Sequence, residues 1–144
     1  MIKLKAYTLI ELLLSVGLIS ALLALSLPVF NSFQFRSELD SAELTTISAL
    51  RSAQTFAQAV NGDSVWGVSL QSNTVIVFKG NSFAGRDTSF DNIYTFPANI
   101  SSSGLSEVTY SKFLGLPSTT GNITLSHGTN STQIAINEKG LLTY

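Results

Sequence analysis

Lys5-Ala6-Tyr7-Thr8-Leu9-Ile10-Glu11-Leu12-Leu13-Leu14 is the stretch on which the reading of this chain turns. Lys3 and Lys5 lie at its start, and an uncharged run follows from Leu12 to Phe30, nineteen residues long. A bilayer-spanning helix needs about 20 predominantly apolar residues, so the run predicts a transmembrane helix of minimum length. Lysine and arginine near a span favour the cytoplasmic side, and the next basic residue after Lys5 is Arg36. The expected placement is therefore the cytoplasmic (inner) membrane, crossed once, with the C-terminal domain extracytoplasmic. A cleaved secretory signal fits less well, because its apolar region is about 7–15 residues. Glu11 stands out, a carboxylate at the edge of the run with no basic residue within the next four positions. Charges inside a membrane cost roughly 2.5–3.5 kcal/mol at its centre and tend to mark function.

The spelling Ala6-Tyr7-Thr8-Leu9-Ile10-Glu11 resembles the processing site of type IV pilins and type II secretion pseudopilins. In that family a short basic leader ends in a small residue, followed by an aromatic residue, Thr-Leu-Ile-Glu and an apolar helix. Ala6 stands where glycine is commoner and Tyr7 where phenylalanine is commoner. Pro28, 21 residues after Tyr7, falls where many members carry a helix-bending proline. The C-terminal pattern Gly121-Asn122-Ile123-Thr124-Leu125, then Ile134-Ala135-Ile136-Asn137 and Gly140-Leu141-Leu142, is similar to that of H-type minor pseudopilins and FimT-like pilins.

The resemblance implies a processing and assembly pathway. A membrane aspartyl prepilin peptidase would cut between Ala6 and Tyr7 and methylate the new Tyr7 amine. The mature chain would have 138 residues. Glu11 would pair with the Tyr7 amine, in its own chain or a neighbour's, with Thr8 and Pro28 as further assembly positions. A buried carboxylate is tolerable when paired, and removing the partner leaves an uncompensated charge. The implied partners are the prepilin peptidase, other pilin or pseudopilin subunits and the inner membrane.

Composition limits the chemistry. The 144 residues fit one domain plus an anchor. Mean hydropathy is +0.30, raised mainly by the first thirty residues. There is no cysteine, which excludes disulfides, thiolate nucleophiles and zinc–thiolate sites. The C-terminal disulfide loop of many pilins is therefore excluded too.

Beyond Phe33, apolar residues recur at Leu39, Ala42, Ile47, Leu50, Ala53, Ala57 and Val60. These steps fit a helical period with one stripe facing a core. The helix is expected from about Thr8 to Val60, kinked at Pro28 and stopped by Asn61-Gly62. After Asp63 short strand signals alternate with turns. Ser64–Leu70 and Thr74–Phe78 predict a hairpin, and Lys79–Asn92 a long loop. Strands are expected over Ile93–Phe96, Ser106–Tyr110, Asn122–Ser126, Thr132–Asn137 and Leu141–Tyr144, with His127–Ser131 as a turn. The expected fold class is α+β: a long N-terminal helix, half transmembrane and half amphipathic, packed on a small antiparallel β-sheet domain, pilin-like. Residues 1–6 are the expected leader, 7–30 the transmembrane/assembly helix, 31–62 its amphipathic continuation and 63–144 the β-rich domain.

No catalytic site is expected. His127 is the sole histidine and has no partner at suitable spacing, and no Gly-x-Ser-x-Gly elbow or phosphate loop occurs. Asp87, Asp91 and Asn92 lack the spacing of a calcium loop. No metal and no cofactor is expected. DNA affinity rests mainly on lysine and arginine contacts to phosphate. Cleavage after Ala6 would leave six basic residues against nine acidic ones, with Lys79, Arg86 and Lys112 as the one set a fold can gather. Nucleic acid is therefore not the expected partner. The expected function is a structural subunit, minor rather than major, of a type IV pilus or type II secretion pseudopilus. Two alternatives are a DNA-binding minor pilin and a membrane-anchored periplasmic enzyme. A surface basic patch discriminates the first, and a deep polar pocket the second.

Overall fold

A computed structural model describes residues 7–97 and 99–144, and the side chains of all of these but 24–32. The chain divides into two units, Met1–Gln34 and Phe35–Tyr144. Helix α1, Leu9–Gln58, contributes to both.

In the first unit the helix starts where Thr8 can cap it. Leucine loses little rotamer freedom in a helix, and leucine dominates 9–23. Even the hydroxyls are turned inward: Ser15 Oγ donates to Glu11 O at 2.7 Å and Ser20 Oγ to Val16 O at 2.8 Å. Such back-bonding satisfies the hydroxyl within its own helix.

Two expectations are corrected here. The described side chains of α1 fall into stretches of 15 and 26 residues, 9–23 and 33–58. Among the described residues no helix is long and apolar enough to cross a membrane. The second stretch carries Arg36, Glu38, Asp40, Glu43 and Arg51. Neither a transmembrane half of α1 nor a single-pass inner-membrane anchor is supported. Nor is there one small sheet: the fold is mixed α+β with two four-stranded antiparallel sheets.

The first sheet contains β1 (Trp66–Gln71), β2 (Thr74–Lys79), β3 (Asp87–Thr95) and β5 (Glu107–Tyr110), in the order β3-β2-β1-β5. The second contains β4 (Ser101–Gly104), β6 (Gly121–His127), β7 (Asn130–Ile136) and β8 (Leu142–Thr143), in the order β4-β6-β7-β8. One core joins them to α1. Leu39, Leu50 and three alanines of the helix, Ala42, Ala53 and Ala57, are buried with Val68, Val75, Val77 and Val108 of the first sheet and Ile123, Leu125, Ile134 and Ile136 of the second. The alanines carry almost no side-chain volume, which lets strands approach the helix backbone.

The end of the helix is tied to a distant loop. Val60 takes a left-handed conformation at φ 53°, and Ala57 O accepts the N–H of Val60 at 3.1 Å and that of Phe113 at 3.2 Å. Gln54 Nε2 donates to Gly115 O at 3.0 Å. Carbonyls of a last helical turn have no partner within the helix, and the 111–117 loop supplies one.

Three boundaries differ from the sequence expectation. Strand β3 begins at Asp87, inside the expected loop. Its register against β2 breaks between Val77 and Lys79, so Asn92 faces Val77 while Asp87 faces Lys79. Strand β4, Ser101–Gly104, is polar and carries no apolar alternation. His127 ends β6 rather than lying in a turn; the turn is Gly128-Thr129, with His127 paired to Asn130.

Candidate functional site

The first-unit segment is the candidate assembly surface. Tyr7, Thr8 and Glu11 are all exposed. Thr8 Oγ1 accepts the backbone N–H of Glu11 at 3.3 Å, and Thr8 O accepts that of Leu12 at 3.2 Å. Thr8 is therefore the N-cap, and Glu11 sits at the third helical position. Thr-x-x-Glu is the spelling of a capping box, and a carboxylate is favoured by the positive end of the helix dipole. Thr8 and Glu11 thus have a local role in starting the helix. The apolar side chains that follow are open on every side, from Val16 at 53% to Leu9 at 79% exposure. Apolar surface of this extent marks an interaction site, and a helix apolar all round is a buried helix in its working state. Ala6 and the Pro28 side chain, the other two positions singled out, lie outside the described residues.

In the second unit, His127 is buried. Its Nδ1 lies 3.4 Å from Glu38 Oε2 without the geometry of a hydrogen bond. Phe35 packs edge-on against its ring with centroids 4.6 Å apart. These contacts bring β6 against α1.

The cations proposed as a patch are engaged locally. Arg86 Nε donates to both oxygens of Asp91, at 2.8 and 3.1 Å, and Nη1 donates to Phe83 O at 2.8 Å. Its guanidinium lies 3.8 Å from the centre of the Phe83 ring. Lys112 Nζ donates to Asp63 Oδ1 at 2.9 Å, and Lys79 Nζ sits 4.2 Å over the Phe90 ring. Phosphate would have to displace these partners. Asp91, weighed above for calcium, holds Arg86. Among the described residues no group of three or more His, Asp or Glu side chains is placed to hold a metal ion.

Cavities of the second unit are open depressions. One of about 500 Å³ is bordered by Val65, Asn81, Thr109, Leu114, Leu116 and Pro117. A polar one of about 240 Å³ is bordered by Ser72, Ser102, Ser103 and Ser106. No histidine and no carboxylate lines either one. Tyr110 is fully buried, and its hydroxyl has no hydrogen-bond partner among the described residues. Burial pushes its phenol up to about 12 from an ordinary 10.0.

The 93–95 portion of β3 has no functional role in the sequence reading. Ile93 is exposed and Tyr94 borders a groove of about 370 Å³ with Ser41, Leu44, Thr45 and Ser48 of α1. The one signal for it is an apolar residue followed by an aromatic one in a short strand beside Pro97. Comparison with family models, with curated proteins and with solved structures finds no match to this chain.

Proposed function

We propose that the chain is a non-enzymatic structural subunit of a filament, a minor pilin-like subunit of a type IV pilus or a type II secretion pseudopilus. Prepilin peptidase would cut between Ala6 and Tyr7 and methylate the Tyr7 amine. The exposed apolar helix after Thr8 would be buried among the helices of neighbouring subunits. The observation that carries this reading is the first-unit helix itself, apolar on all sides with a single carboxylate, Glu11, in its first turn. Apolar packing is non-directional, so an ion pair between Glu11 and a Tyr7 amine would fix the register between subunits.

Incorporation into filaments tests the reading. Breaking a buried ion pair by removing one partner costs about 3–5 kcal/mol, which is a hundredfold or more in association, on the order of one decade per 1.4 kcal/mol. Glu11→Ala should therefore all but abolish recovery of the chain in sheared filaments at unchanged cellular level. Undiminished recovery would remove Glu11 from assembly.

A further inference from the structure

We infer that the outer edge of β3 pairs with the same edge of a second copy, joining two four-stranded sheets into one of eight strands. Strand β3 is the long edge of its sheet, nine residues with none buried. The opposite edge is treated differently by the chain. Strand β5 is covered by the loop after it, where Ser118 donates its N–H to Thr109 O at 2.8 Å and Tyr110 bridges to Pro117. The edges of the second sheet, β4 and β8, are only four and two residues long. An uncovered edge with free backbone donors and acceptors is a template for another strand.

The free groups can be assigned. Phe96 donates its N–H to Asn73 O at 2.8 Å. In an antiparallel ladder inward and outward residues alternate. With Thr95 opposite Thr74 and Tyr94 opposite Val75, the backbone groups of Tyr94 and Asn92 face β2, and those of Ile93 and Thr95 face away. Among the described residues no other strand is bonded to them.

The edge is self-complementary in one register. A two-fold pairing centred on Tyr94 sets Ile93 against Thr95 of the second copy, and Thr95 against its Ile93. Each of those pairs exchanges two backbone hydrogen bonds. Asp91 then faces Pro97 of the second copy, so no like charges oppose each other, and Asp91 is already neutralised by Arg86. Opposite residues share a sheet face. Tyr94 borders the groove beside Ser41, Leu44, Thr45 and Ser48, and the second copy's tyrosine enters the same side. Leu44, exposed at 64%, loses water there, and Ile93, exposed at 62% on the opposite sheet face, packs beside Thr95 of the second copy. The broken register at Asp87–Asp91 and the absence of a donor at Pro97 confine pairing to this short segment, which makes the dimer weak and concentration-dependent.

A cysteine at the centre of the register tests this directly, because the chain has no other. In a non-hydrogen-bonded pair the two Cα atoms lie about 4.5 Å apart, within disulfide reach. The full chain is kept in nonionic detergent so that the apolar helix after Thr8 is covered. Mild oxidation of Tyr94→Cys should give disulfide-linked dimers in proportion to concentration, and oxidation of Ser103→Cys on β4 should give few. Adding Ile93→Pro should reduce the Tyr94→Cys dimer at least severalfold. Proline at 93 removes an outward donor and no bond to β2, so thermal unfolding of Ile93→Pro should stay close to the parent's. No dimer at Tyr94→Cys, or equal dimer at both cysteine positions, overturns the inference. A strand from a different protein as the true occupant would also leave purified Tyr94→Cys monomeric. The pairing lies in the second unit, so loss of filament incorporation in Glu11→Ala leaves this outcome unaffected.

Discussion

The hydroxyl oxygen of Thr8 accepts the backbone N–H of Glu11, three residues on, at 3.3 Å. A motif that resembles a processing signal is at the same time the physical start of a helix. Replacing an N-cap threonine by alanine costs about 0.5–2 kcal/mol. Thr8→Ala should speed amide exchange of Leu9 to Leu12 severalfold while leaving β1 and β6 unchanged, and Thr8→Ser should restore protection. Hydrogen exchange read by mass spectrometry distinguishes the variants.

Leucines of one helix should answer differently in its two parts. Leu50 is fully buried, and Leu22 is exposed at 69%. Leu50→Ala should cost about 2–5 kcal/mol of stability, seen as a lowered midpoint in denaturant. Leu22→Ala should leave that midpoint within about 0.5 kcal/mol and reduce filament incorporation instead.

At Gly67 the neighbours of β1 leave no room for a side chain. A Cβ there would lie 2.6 Å from Phe78 Cζ, 2.8 Å from Thr109 Cγ2 and 2.9 Å from the backbone oxygen of Val108. The phenyl ring can swing away, but the backbone oxygen belongs to a paired strand. Gly67→Ala should destabilise the second unit by about 1–3 kcal/mol, the usual cost of overpacking, measured by thermal unfolding.

Alkaline pH should destabilise the second unit through Tyr110. Its phenol is raised from 10.0 to about 12 by burial, so the folded chain favours the neutral form. The contribution is intact below pH 10 and is lost as pH rises toward 12, roughly 2–3 kcal/mol in all. Tyr110→Phe should abolish this part of the pH dependence. At neutral pH it should be neutral or stabilising by about 1 kcal/mol, since the hydroxyl it removes is buried without a partner. Denaturant midpoints at pH 7 and pH 11 for both chains check this.

Much of the second unit was written in apolar spacing. Ile123 and Leu125, like Ile134 and Ile136, alternate along β6 and β7 and are buried, as a half-covered strand requires. The buried helix stripe at Leu39, Ala42, Leu50, Ala53 and Ala57 was equally plain. Other features carry no local pattern. Strand β4 is Ser-Ser-Ser-Gly, and only its pairing with Ile-Thr-Leu-Ser of β6 makes it a strand. Both faces of β2 are covered because Phe83 folds back on Phe78 at 5.6 Å and donates its N–H to Glu107 Oε1, a contact between distant residues. His127 resembled a turn residue because Gly128 follows it, yet the turn needs only Gly128 and Thr129. Hydropathy read 12–30 as one span, whereas among the described residues no helix is long and apolar enough to cross a membrane. At the candidate site, Thr8 and Glu11 were legible as a motif, while the hydrogen bond between them belongs to the folded helix.

The central claim is that Tyr7 begins the working chain. The most direct measurement is the intact mass and N-terminal sequence of the protein made with and without an active prepilin peptidase. The account predicts a chain starting at Tyr7 and heavier by one methyl group with the peptidase, and a chain starting at Met1 without it. A chain starting at Met1 in both cases would contradict it.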